Sequence, residues 1–260
     1  MFPKLNFFLE KFINHIDVDK KIPYTINMIG FQTSINNTLT LLEEMQFAID
    51  KKADFFDIFF DKWLPKTITT EEYSLLKDLK KSDFPFTVHL PIEYHTLADT
   101  EKQELFVFIK TLQPKTTTVH FDKITLEELQ TLYNEVSDYT KISIENTIPD
   151  SMCENYVKYL EKAKSVGTIY ATLDAGHGFV NGIEAHKLAQ KIASTGIEIA
   201  TLHAHDNDGK KDMHKPVGEG IIDFARLFEE IKKQNAKPYI VIEHWDNNLL
   251  SLKNLQKLNS

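Results

Sequence analysis

Eight short runs rich in β-branched and aromatic residues recur along the chain, each followed by a stretch of helical period. This alternation constrains the fold more than any other feature. The runs are "YTINMIG" (24–30), "DFFDIFF" (54–60), "PFTVHL" (85–90), "TTTVHF" (116–121), "KISIEN" (141–146), "TIYATLDA" (168–175), "IEIATLHAH" (197–205) and "YIVIEH" (239–244). Near-continuous apolar strands alternating with helices predict a parallel sheet covered on its outer side. Eight such units in 260 residues match the size of a (β/α)8 TIM barrel of the α/β class. A doubly wound open sheet is the alternative, but no glycine-rich dinucleotide loop follows an early strand. Residues 1–260 read as one barrel domain, in which 1–20 form a short N-terminal helical extension. Phe2, Leu5, Phe8, Phe12 and Ile16 give that extension its helical spacing.

Helix starts are marked by four S/T-x-x-E/Q capping boxes: Thr69 with Glu72, Thr100 with Gln103, Thr125 with Glu128, and Ser151 with Glu154. After the third, Leu126, Leu129, Leu132 and Val136 form one apolar stripe.

Polar residues collect at one end of each unit. His89, His120, Glu145, Asp174, His203 and Glu243 stand at or near the C-terminal ends of six successive strands, separated by 31, 25, 29, 29 and 40 residues. In a barrel that period brings all six to the mouth where such folds carry their chemistry. Glu145, Asp174 and Glu243 converge with His203, and the chain offers no evident basic partner for three carboxylates placed where burial is costly. The set predicts an oxygen-rich metal site suited to zinc, manganese, cobalt or magnesium. Around it lie His177, three residues beyond Asp174, and Asp212 with His214 in the loop after the seventh strand. With His89 and His120 these are candidates for further metal ligation, the alternative being substrate contacts or satisfied core groups. His205 and Asp206 are expected to hold His203 in one tautomer. Lys210 sits in the turn "DNDGKK" as an exposed residue that could meet a substrate phosphate. His15, His186 and His244 receive no functional role, His244 because strand alternation turns it away from Glu243. The loop after strand three could carry His95 to the mouth.

Composition narrows the classes further. Net charge is −8, and of thirty basic residues only Arg226 is an arginine, which weakens a nucleic-acid role because arginine is the usual bidentate reader of phosphates and bases. The lone cysteine, Cys153, excludes a cysteine zinc cage and an internal disulfide, and fits a reducing cytoplasm. The apolar N-terminus lacks the basic region and cleavage site of a signal peptide, and no run predicts a membrane span.

The motifs "TVHLP", "SIENT", "LDAGHGF", "LHAHDNDGKKDMHKPVGEGIIDF" and "VIEH", spanning residues 85–244, resemble those of the xylose-isomerase-like TIM barrels (AP endonuclease family 2) in order and spacing. That family includes sugar isomerases, sugar epimerases and endonuclease IV-type apurinic-site endonucleases. The resemblance implies that Glu145, Asp174, His203 and Glu243 bind a shared divalent metal. In its isomerase and epimerase branch, Glu145 and Glu243 match the acid/base pair. In its endonuclease branch three zinc ions are bound, and the additional ligands match His89, His120, His177, Asp212 and His214.

Three readings compete. The first is a metal-dependent isomerase or epimerase of a sugar or sugar phosphate, moving a proton through a metal-stabilised enediolate. The alternative is a phosphodiesterase of the endonuclease type, for which the full ligand set argues. Against it, Ile92 and the acidic Glu93 occupy the loop where the endonucleases carry a DNA wedge. A barrel that binds a metal and a ligand without turnover is a third. Oligomeric state is left open.

Overall fold

The computed structural model describes residues 27–33, 38–61, 64–244 and 246–259, so the N-terminal extension and His15 lie outside the described residues. Eight parallel strands, β1 (Ile29–Gln32), β2 (Phe55–Phe59), β3 (Phe86–His89), β4 (Thr116–His120), β5 (Lys141–Glu145), β6 (Tyr170–Asp174), β7 (Ile199–Ala204) and β8 (Tyr239–Ile242), close in sequence order into a barrel. Around them lie α1 (Leu41–Asp50), α2 (Thr70–Lys81), α3 (Asp99–Leu112), α4 (Leu126–Val136), α5 (Glu154–Ala163), α6 (Ala175–Val180), α7 (Ala185–Ser194), α8 (Phe224–Lys233) and α9 (Asn248–Asn259). The expected (β/α)8 architecture is what forms. Among the described residues the first strand begins at Ile29, where its pairing to β8 starts with Ile240; residues 24–26 of the expected run lie outside the described residues.

Strand alternation sorts the side chains between two cores. Val88, Val119, Ile144, Leu173, Leu202 and Ile240 are buried on the helix-facing side. On α4, Leu129, Leu132 and Val136 are fully buried against it, worth together roughly 5–9 kcal/mol. The Thr125 cap of the same helix is worth about 1 kcal/mol. Packing therefore decides where the helix lies, and the cap decides where it begins.

The axis-facing side differs from the branched aliphatic filling usual in such barrels. Thr116 is hydrogen-bonded to Thr201, and Thr118 and Ser143 both meet Thr172, so buried hydroxyls floor the barrel beneath β4–β7. Phe55 fills the opposite side, packed edge-on against Tyr239 with centroids 5.2 Å apart. Gly30 is the residue that permits this, since a Cβ there would stand 2.5 Å from the Phe55 carbonyl oxygen.

Two of the four expected capping boxes form, at Thr69 with Glu72 and Thr125 with Glu128, and a third not foreseen forms at Thr40 with Glu43. The other two are displaced. Helix α3 starts at Asp99, with Glu101 accepting the Ala98 N–H at 3.2 Å, so Thr100 and Gln103 already lie inside it. At α5 the carboxylate of Asp150 accepts from Asn155 and Tyr156 N–H at 3.1 and 2.8 Å and does the work assigned to Ser151.

Candidate functional site

The same alternation that buries the threonines carries the strand-end residues to the axis: Thr118 precedes His120 by two, Ser143 precedes Glu145, Thr172 precedes Asp174, and Thr201 precedes His203. Register does the rest, pairing His120 with Glu145 and Asp174 with His203. Glu145 is wholly buried at the centre. One of its oxygens lies 2.8 Å from His89 Nε2 and 3.5 Å from His120 Nε2, and the other lies 3.2 Å from His203 Nδ1 and 3.5 Å from His177 Nδ1. The same His203 nitrogen is 3.4 Å from Glu243 Oε2 and 3.8 Å from Asp174 Oδ2. Asn146 locks β5 to β6 by a reciprocal pair, donating to the Asp174 carbonyl at 2.9 Å and accepting its N–H at 2.8 Å.

Three histidines are oriented by main-chain carbonyls. Nδ1 of His89, His177 and His214 lies 2.7, 3.1 and 2.6 Å from the carbonyl oxygens of Leu90, Asn146 and Glu243. A carbonyl only accepts, so each Nδ1 carries hydrogen and donates. Each Nε2 then faces a carboxylate, Glu145 for His89 and Asp212 at 3.4 and 3.0 Å for His177 and His214, a contact that needs either a protonated, donating Nε2 or a cation between the two. Metal-binding histidines are characteristically held by such an N–H to a carbonyl.

The charges are strongly coupled. Burial alone would raise the Glu145 carboxyl, but His203 and His120 hold it well below its usual range, and His203 does the same for the partly buried Glu243. Burial alone would lower His203, yet Glu145 and Glu243 lift it well above its usual value. His120 goes the other way, because its burial outweighs the attraction of Glu145.

This donor set fits a divalent cation. His203 Nε2, His205 Nδ1, Asp212 Oδ1 and Glu243 Oε2 are buried with no hydrogen-bond partner, a costly state for polar atoms that lack a partner or an ion. Four overlapping groups, built from His89, Glu145, His203 and Glu243; Glu145, Asp174 and His177; Asp174, His205 and Glu243; and His177, His205, Asp212 and His214, each present ligand atoms within 4.8 Å of one another. Mixed carboxylate and imidazole ligands suit zinc, manganese, cobalt or magnesium.

Above the clusters a cavity of about 640 Å³ opens, with Phe59, Ile92 and Met213 as apolar walls and Gln32, His120 and His244 among its polar ones. Its size lies in the range of roughly 300–1,000 Å³ typical of small-molecule sites.

All nine residues expected at or near a metal are brought together. His205 and Asp206 are placed otherwise than expected. His205 Nε2 stands 3.1 Å from Asp174 instead of supporting His203, because it is two residues further along the same strand face. Asp206 turns into its own loop, accepting from Asn207, Gly218 and Ile222 N–H at 2.9, 3.0 and 3.1 Å. Lys210 is exposed, its backbone N–H donating to Asp208, and it does not line the cavity. His95 is exposed beside Glu93, 3.6 Å away. His244 reaches the cavity after all, because β8 ends at Ile242 and alternation stops there. Its ring is held by Ser251 Oγ at 2.7 Å and the Asp246 carbonyl at 2.9 Å. Sequence reasoning also missed Gln32, Asp57 and Asn146. For Asp57 the available signal was a lone carboxylate between aromatic residues on an otherwise apolar strand.

The family model for the xylose isomerase-like TIM barrel matches residues 111–260, which includes five of the eight strands and most of the clustered ligands. The chain belongs to the xylose isomerase-like TIM barrel family. Among relatives, an uncharacterized protein of Methanocaldococcus jannaschii is 36% identical over 96 residues, 37% of this chain and 31% of that protein. The chain thus matches about a third of the length of its curated relatives. The barrel superposes on a D-tagatose 3-epimerase-like protein with a TM-score of 0.72 at 18% identity, covering 89% of this chain and 96% of that one. It superposes on a 3-keto-D-glucoside 4-epimerase from E. coli with a TM-score of 0.62 at 18% identity, covering 89% and 99%. Of these two structural neighbours of the family member, the second is a sugar epimerase and the first is described as like one.

Proposed function

We propose that this family member is a divalent-metal-dependent isomerase or epimerase of a sugar or sugar phosphate, with Glu145, Asp174, His203 and Glu243 as metal ligands and Glu145 and Glu243 as the acid/base pair. The observation that carries the reading is the convergence of Glu145 and Glu243, from strands three apart, on one nitrogen of His203 at 3.2 and 3.4 Å beneath the cavity. When bound, a divalent ion supplies the polarisation that acidifies the carbon beside a sugar carbonyl. The protein's own groups do the proton work. Glu145 and Glu243, which face one another across His203 Nδ1, are the groups placed to take a proton from that carbon and return it. Return of the proton to the opposite face gives an epimer, and return to the neighbouring carbon gives an isomer. Phe59 and Ile92 give the cavity an apolar wall.

The outer group of His177, His205, Asp212 and His214 favours a second reading, a phosphodiesterase with up to three zinc ions. Nucleic acid is the less supported substrate, since Glu93 stands in the loop beside Ile92 and engages Lys123 at 2.7 Å.

A panel of ketoses, aldoses and their phosphates, incubated with manganese, cobalt, zinc or magnesium in deuterated water, tests the first reading. Deuterium is expected at the carbon beside the carbonyl, and Glu243→Gln should abolish it. No incorporation from any member, together with three zinc ions per chain and salt-sensitive binding of abasic DNA, would replace this reading with the second.

A further inference from the structure

Gln32, Asp57 and Thr87, axis-facing on β1, β2 and β3, stand outside the metal-ligand groups, yet they form one connected line that ends on Glu243. Thr87 Oγ1 donates to Asp57 Oδ1 at 2.5 Å. The amide nitrogen of Gln32 reaches Asp57 Oδ2 at 3.4 Å and Glu243 Oε1 at 3.1 Å. Strand register builds the line, pairing Gln32 with Asp57 and Asp57 with Thr87, while Phe31 pairs with Ile242 and so levels Gln32 with Glu243. It crosses β3, β2, β1 and β8, including the seam where the barrel closes.

An ionised carboxylate only accepts hydrogen bonds, so Glu243 fixes the Gln32 amide with its nitrogen inward. The two oxygens of Glu243 thereby become unlike. Oε1 is tied to Gln32, while Oε2 is buried without a hydrogen-bond partner, 3.4 Å from His203 Nδ1. Asp57 is itself only 1% exposed, an expensive place for a carboxyl whose side-chain partners are a hydroxyl and an amide. A line serving packing alone could be built from apolar residues at less cost.

We infer that Gln32, anchored by Asp57, is a positioning residue that ties Oε1 of Glu243 to its amide and so holds Oε2 presented to the metal cluster. The inference rests on the metal reading of the site proposed above. Outer partners of metal ligands typically alter affinity about 10- to 100-fold when removed.

Titration of the full-length protein with cobalt(II) alone, followed by visible absorption, tests it. Gln32→Met keeps the side-chain length and removes the donor. It is expected to bind cobalt about 10- to 100-fold more weakly, with altered ligand-field bands, while its thermal midpoint stays within about 5 °C of wild type. Asp57→Asn, which does not touch Glu243, should shift affinity and spectrum in the same direction by less. Wild-type affinity and bands in Gln32→Met overturn the inference. If Gln32→Met fails to fold, the same result in Asp57→Asn overturns it. Wild-type protein that takes up no cobalt overturns the metal reading itself, and this inference with it.

Discussion

The imidazoles of His205 and His214 lie flat on one another, with centroids 3.8 Å apart and planes 3° from parallel. His214 reaches this stack from a left-handed backbone, φ 44°, that non-glycine residues seldom adopt, so the loop holds it there against local preference. Asp212 completes the group, 3.0 Å from His214 and 3.4 Å from His177. If the outer group is a separate and weaker site, His214→Ala will retain the one tightly held ion per chain that the sugar reading expects. Metal content after gel filtration measures this, and loss of that ion would show the two groups to be one site.

Glu145 touches four histidines and is the common member of two of the ligand groups. Glu145→Ala should remove both the bound metal and at least about 100-fold of activity, the lower range for a lost acid/base group. A variant with full metal content would refute its assignment as a ligand.

The loop that delivers Asp212 and His214 is organised by Asp206. Its carboxylate satisfies three N–H groups, and its backbone pairs with Lys215 at 2.8 Å in both directions. Asp206→Ala orphans those donors and should destabilise the protein by about 2–4 kcal/mol in denaturant unfolding. A loss under about 0.5 kcal/mol would show that water replaces the carboxylate.

The pH response should change sign with metal. Burial lowers His214, but Asp212 outweighs it and pushes the imidazole from 6.5 up to about 9, while burial of Asp212 is outweighed by His177 and His214, which hold its carboxyl low. A raised folded value contributes stability that is complete below 6.5 and is lost as pH climbs through about 9. His177 and His203 are raised too and add to the same trend. Protein in chelator should therefore melt lower at pH 9 than at pH 6.5, less steeply in His214→Ala. Zinc-loaded protein should hold or gain over that range, because metal binds deprotonated imidazole. Parallel melting curves with and without zinc decide it.

Cys153 is fully buried, and its thiol is pushed up to about 12 by that burial, against the hydrogen bond from Asn181. Native protein should resist iodoacetamide at pH 8 and react at one site after unfolding, as mass spectrometry would read. Rapid native labelling would place the thiol in a looser environment.

The sequence determined the barrel and the main members of its site. Period-two strands fix which side chains face the axis, and repeats of 25 to 40 residues fix that Glu145, Asp174, His203 and their companions end their strands at one mouth. Local capping was legible where the box was the nearest acceptor, as at Thr69 and Thr125, and misread where Asp150 competed from outside the motif. Tertiary structure alone decided which of the polar residues work together. Gln32 and Thr87 look unremarkable in their strands and Asp57 stands alone in its own, and the three become one line only when register and closure of β1 on β8 set them level with Glu243. His205 and Asp206 are adjacent in sequence yet part company, because the strand face takes one to Asp174 and the loop's unpaired N–H groups claim the other. Periodicity is a property of the chain taken a few residues at a time. Partnership depends on contacts between segments as far as 211 residues apart, which only the closed barrel supplies.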